Sequence, residues 1–107
     1  IKRYDYEARR HWNVVNDRLA DHRYMLGDTY TIVDMAVWGW AGRVPFMLAK
    51  DDAFDEFPNL KRLMDEIDAR PAAQRAVALK EQHSFKVEFD DAAMRHLYPQ
   101  IFAPDPT

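Results

Sequence analysis

A chain of 107 residues suits one domain or part of one, and its 48% hydrophobic content is enough for a core, which excludes a disordered polymer. With 15 basic and 18 acidic residues the net charge is −3, which argues against a general nucleic-acid binder, whose surface needs a cationic excess to neutralise phosphates. There is no cysteine, so disulfides, thiolate metal sites and a cysteine nucleophile are excluded within the chain.

In chain order, Tyr4, Ala8, Trp12, Val15 and Leu19 recur every three or four residues, one stripe of a first helix that fades near Asp21-His22. Asp5, Arg9, Asn13, Asn16 and Asp17 fall mainly off that stripe. Gly27-Asp28 then supplies a turn. Thr31 and Asp34 carry the spacing of a capping box, a short-armed variant with Asp where Glu or Gln is usual, and Tyr30 with Met35 suits the accompanying hydrophobic staple. The second helix runs from there through Met35-Ala36-Val37-Trp38-Gly39-Trp40. Being apolar nearly all round, it is expected to be the buried central helix. Gly39 and Gly42 weaken it, and their expected use is the close approach of a neighbouring helix. Pro45 is expected to kink or end it.

Lys50 to Glu56 is acidic and reads as a loop. Pro58 suits the first turn of a third helix, whose apolar face is Leu60, Leu63, Met64 and Ile67. Pro71 ends it and opens a fourth, Ala72 to about Lys80. From Glu81 the chain is mixed: Asp90 or Asp91 suits the cap of a short helix containing Ala92, Ala93, Met94 and Leu97, and Pro99, Pro104 and Pro106 are expected to forbid regular structure. No strand alternation is long enough for a sheet, so the fold class is all-α, a bundle of four to five helices.

Little in the residues is self-contained chemistry. No pair among His11, His22, His83 and His96 is spaced for a helical metal site, and no glycine-rich phosphate loop exists, so neither a metal nor a catalytic residue is assigned. Ser84, the one serine, lies in no nucleophile elbow. Trp38 and Trp40 are about 200° apart on a helix. One therefore packs in the core and the other faces a pocket or an interface. Arg3 opposes the dipole at the first helix's N-terminus, which suits either a ligand or domain contact or a solvated charge. No apolar run approaches the roughly 20 residues of a membrane span. The opening Ile1-Lys2-Arg3-Tyr4 has no initiator Met and no secretory h-region, and reads as a position inside a longer protein.

The stretch Tyr24-Met25-Leu26-Gly27-Asp28-Thr29-Tyr30-Thr31-Ile32-Val33-Asp34, followed by Phe57-Pro58-Asn59-Leu60-Lys61-Arg62 and Ala69-Arg70-Pro71-Ala72, resembles the C-terminal helical domain of glutathione transferases. Arg3-Tyr4, Glu7, Val15-Asn16-Asp17-Arg18-Leu19 and Trp38-Gly39-Trp40 look like the bacterial Nu-type members, which favour reduction of glutathione-linked disulfides. The resemblance implies a truncated domain over residues 1–80 that lacks its first helix, with a tail at 81–107. It implies glutathione as co-substrate, a small electrophile or disulfide as second substrate, and a cytoplasmic homodimer that binds neither nucleic acid nor membrane. It implies a preceding thioredoxin-like domain that activates the sulfur, so that the chain alone is inactive. Carried over, the arginine of the Arg-Tyr pair is Arg3, a glutathione contact; Tyr4 and Trp38 are the candidate lining of the second-substrate site, and Thr31 and Asp34 are assigned to folding, not catalysis. The rival reading is a non-catalytic interaction domain of the same shape, as appended to translation factors and synthetases; a helical half of a regulator accounts less well for the landmarks.

Overall fold

The computed structural model describes residues 1–103. Within them lie six α-helices and no strand: α1 (Lys2–Arg18), α2 (Ile32–Ala41), α3 (Val44–Met47), α4 (Pro58–Asp68), α5 (Pro71–Gln82) and α6 (Asp91–Leu97). Short 3-10 turns occupy Ala53–Glu56 and Pro99–Phe102. The chain divides into two compact units, Ile1–Val77 and the residues from Ala78 onward, which are described separately.

In the first unit α4 is the hub, packed against α1, α2 and the Ala53–Glu56 turn. Its stripe of Leu60, Leu63, Met64 and Ile67 is buried, as the sequence spacing predicts, and meets Leu19, Tyr24, Ala41, Val44, Leu48, Phe57 and Ala73. On α1 the stripe is buried at Leu19 and packed at Ala8, Trp12 and Val15, but its first member, Tyr4, is 77% exposed. The second helix departs further from expectation. Only Asp34 and Ala41 are buried in α2, while Ile32, Met35 and Trp40 face outward. Apolar composition shows that a helix can be covered all round. The described residues offer it a packing partner chiefly on the α4 side.

The glycines and prolines of this region also differ from their sequence reading. A Cβ on Gly39 would meet no atom within 4 Å, and one on Gly42 only carbonyls of its own helix at 3.8 and 3.9 Å, so neither admits a neighbouring helix. Helix α2 closes at Gly42 without help from Pro45, which sits in the first turn of α3, where its missing N–H costs nothing. Lys50–Glu56 is partly a 3-10 turn whose Ala53 is buried. Gly27 is needed for its backbone: at φ 117° it closes a tight turn in which Tyr24 and Gly27 exchange backbone hydrogen bonds of 2.8 and 3.1 Å.

Two remote contacts tie α1 to α4. Asn16, off the apolar stripe yet buried, accepts through Oδ1 from the N–H groups of Asn59 and Leu60 at 2.9 and 3.1 Å. It thus caps α4 from another helix, because Phe57 at the cap position has no suitable side chain. Beside it, Arg62 donates to the carbonyls of Leu19, His22 and Arg23, at and just beyond the C-terminal cap of α1.

The second unit has no buried residue among those described. Asp90 accepts from the Ala93 N–H at 2.9 Å and so is the cap of α6; Lys86 pairs with it at 2.6 Å. Both hold its carboxyl below the usual range, Lys86 first. Phe89 meets Tyr98 edge-on, and Arg95 stands over Phe102. Pro99 opens a 3-10 turn where the sequence reading expected no regular structure, since proline at a first turn loses no hydrogen bond. Pro104 and Pro106 lie outside the described residues.

Candidate functional site

The start of α2 fixes the neighbourhood of the site. Thr31 Oγ1 accepts from the Val33 N–H at 3.2 Å, and Asp34 Oδ2 accepts from the Thr31 N–H at 2.9 Å, closing the capping box. The second oxygen of Asp34 accepts from the Met25 N–H at 2.8 Å, which ties the helix start to the Gly27 turn. Asp34 has no exposed surface, and these donors are what makes its burial tolerable.

Tyr30, just before the cap, meets the Tyr24 ring edge-on at 5.6 Å between centroids. On Tyr30's ring the Arg70 guanidinium lies 3.6 Å from the centroid, a cation–π contact. The Tyr24 hydroxyl donates to Glu66 at 3.3 Å, and Arg23 reaches the same carboxylate at 2.6 Å. Burial pushes the Glu66 carboxyl upward, but the hydrogen bond and charge of Arg23, with help from Tyr24 and Arg62, bring it below its ordinary value. A chain of contacts thus runs from Glu66 through Tyr24 and Tyr30 to Arg70.

Arg70 stands at the edge of a cleft of about 660 Å³ between α2 and the start of α5. Tyr30, Met35, Trp38 and Gly39 form one wall, and Ile67, Arg70, Ala73, Arg75 and Ala76 belong to the other. Trp38 is held in place by its indole N–H, which donates to Asp68 Oδ1 at 2.7 Å. Its ring therefore faces the cleft with its polar atom already satisfied. Trp40 is 69% exposed, so the two tryptophans do face apart. Gly39 leaves open the space its missing side chain would fill. A cleft of this size, largely apolar with a few cationic groups, has the character of a small-molecule site.

The other residues named from the sequence lie elsewhere. Arg3 is exposed on the first turn of α1 and has no ion pair among the described residues. Tyr4 borders a separate depression of about 590 Å³ with Lys2, Ala8, Met47 and Leu48. No residue is shared between the linings of the Tyr4 and Trp38 depressions. Arg70 and Arg75 escaped the sequence reading as site residues. The one signal for them was the Arg70-Pro71 junction, read there as a helix boundary. Among the described residues no group of three or more His, Asp or Glu is placed to hold a metal, and no helix is long and apolar enough to cross a membrane.

Residues 1–66 match the family described as glutathione S-transferase, C-terminal domain. The chain belongs to that family. Its curated relatives include the disulfide-bond oxidoreductase YghU of Escherichia coli strain K12, 37% identical over 79 residues, which are 70% of this chain and 27% of that protein. An uncharacterized GST-like protein of Streptococcus mutans is 33% identical over 86 residues, 72% of this chain and 31% of the relative. The disulfide-bond oxidoreductase YfcG of Escherichia coli is 34% identical over 80 residues, 72% and 34% of the respective chains. The chain thus spans about a third of the length of the relatives it matches. No solved structure gives a significant match.

Proposed function

We propose that this chain is the helical portion of a longer glutathione-dependent enzyme that reduces small disulfides or conjugates glutathione to electrophiles. The observation that carries the reading is similarity to two disulfide-bond oxidoreductases within this family. In this reading the attacking thiol is that of glutathione itself, and residues 1–107 contribute no cysteine to the reaction. Lowering its pKa yields a thiolate that attacks one sulfur of the disulfide; that bond breaks and the other half leaves as a thiolate, which takes up a proton. A second glutathione thiolate then attacks the mixed disulfide, giving oxidised glutathione and the second free thiol.

In this reading the group that activates the thiol lies in a thioredoxin-like portion of the longer protein, and residues 1–80 form the helical domain with 81–107 as its tail. Arg3 holds a glutathione carboxylate, for which a planar fork is well suited. Tyr4 and Trp38 offer apolar surface to the second substrate from two separate depressions. The same reading expects a cytoplasmic homodimer without a metal.

The test is steady-state kinetics on the longer protein with glutathione and either a small symmetrical disulfide or an aryl halide. Turnover of the disulfide above that of the halide is expected, with Arg3→Ala raising the KM for glutathione about tenfold at similar kcat. Absence of glutathione-dependent turnover with both substrates would leave the non-catalytic interaction domain as the better account.

A further inference from the structure

Three observations about the α2–α5 cleft point to the chemistry of its occupant. The first is the wall. Trp38, Met35 and Ile67 give it an apolar, partly aromatic surface, and the Trp38 N–H is already engaged by Asp68. A ligand therefore meets the indole ring and not its donor. The second is Gly39, beside Trp38 on the same helix, whose absent side chain leaves open space against the backbone where a flat ring can lie. The third is charge. Arg70 and Arg75 make no ion pair among the described residues, as is also true of Arg3, Arg18, Arg43 and Arg95, but only Arg70 and Arg75 share the lining of this cleft. Arg70 is oriented by stacking on Tyr30, which leaves the N–H edge of its guanidinium for a planar acceptor. Asp68, the acidic neighbour, keeps its charge while one of its oxygens accepts from the indole, and it forms no ion pair with Arg70 or Arg75.

We propose that this cleft binds a small aromatic carboxylate, its ring against Trp38 and Gly39 and its carboxylate on Arg70 and Arg75. A cation would be repelled by two unneutralised guanidiniums. A neutral aromatic would gain the apolar contact and forgo the charge-assisted hydrogen bonds. The inference deepens the proposed function, because it names the class of group that Trp38 meets and rests on Trp38 being a ligand contact.

The experiment is a titration of the 107-residue chain, held below the concentration at which sedimentation detects self-association, with naphthalene-2-carboxylate, followed by the NMR signals of its tryptophan indole N–H groups. Glutathione and turnover are absent from it, so its failure and the failure of the enzymatic reading are distinguishable. Trp38→Phe assigns the Trp38 signal, and circular dichroism confirms that each variant is folded. The expected result is a saturable shift of the Trp38 signal with the Trp12 signal unmoved. Arg70→Gln and Arg75→Gln are each expected to weaken binding about fivefold or more, and the neutral alcohol of the same ring to bind about tenfold more weakly. Arg43→Gln, outside the cleft, should leave the affinity unchanged. The proposal is overturned by an unmoved Trp38 signal in the folded chain, by equal binding of the neutral alcohol, or by equal losses in the Arg43 and Arg75 variants.

Discussion

Among the described residues, Asp34 and Asn16 are the two buried polar side chains, and each accepts from backbone N–H groups of another segment. Removing either leaves part-buried N–H groups unpaired, and in the case of Asn16 also the buried N–H of Leu60. Asp34→Ala is expected to destabilise the fold by roughly 2–3 kcal/mol, and Thr31→Ala, which loses one capping acceptor, by about 1 kcal/mol. Asn16→Ala is expected to cost roughly 1–3 kcal/mol, and Asn16→Asp less, since it keeps the acceptor at the positive end of α4. Urea melts order the four variants, and a wild-type midpoint in Asp34→Ala would refute its role. Gly39 runs the other way. With helical backbone and open space where a Cβ would go, Gly39→Ala should stabilise by roughly 0.5–1 kcal/mol while narrowing the cleft. The Thr31–Asp34 box was legible in the sequence because its partners are three residues apart. The Asn16 cap was not, because its partners are 43 and 44 residues away and no local spacing encodes them.

Among the elements, α4 was the most legible, since its stripe has one period and the structure buries that stripe entire. Leu63→Ala there is expected to cost about 2–5 kcal/mol in a denaturant melt. Helix α2 was the least legible. Its composition gave no direction to face, and burial turns on what lies beside it. The exposed flank of α4 carries a pH dependence. Glu66, between Arg23, Tyr24 and Arg62, has a folded pKa below its ordinary value of 4.5. Below that value the unfolded chain takes up a proton sooner than the folded one, so stability falls with falling pH. Glu66's contribution is thus complete above the ordinary value and lost as pH drops through the folded pKa. Urea midpoints taken from about pH 6 to about pH 3 should show an acid limb that Glu66→Gln flattens. An unchanged limb would mean the ion pairs are not maintained in solution.

On the scale of the whole molecule, the outward side chains of α2 and α3 determine behaviour. Ile32, Met35, Trp40, Phe46 and Met47 expose apolar surface of a kind that soluble monomers seldom leave uncovered over a wide patch. The 107-residue chain is expected to self-associate at tens of micromolar in sedimentation; a single monomeric species with a sharp melt would show that the first unit closes its core unaided. The candidate site was legible only in part. Trp38 could be singled out because two tryptophans two residues apart must face differently. Arg70 and Arg75 reach the same cleft only through the turn from α4 into α5, a tertiary fact. The central claim is that this chain supplies helical walls, while glutathione activation resides in the rest of a longer enzyme. Its most direct test is glutathione-dependent reduction of a small disulfide, measured in parallel for the 107-residue chain and for the longer protein that contains it. The account predicts turnover by the longer protein and only background for the chain; turnover by the chain alone, or none by the longer protein, would contradict it.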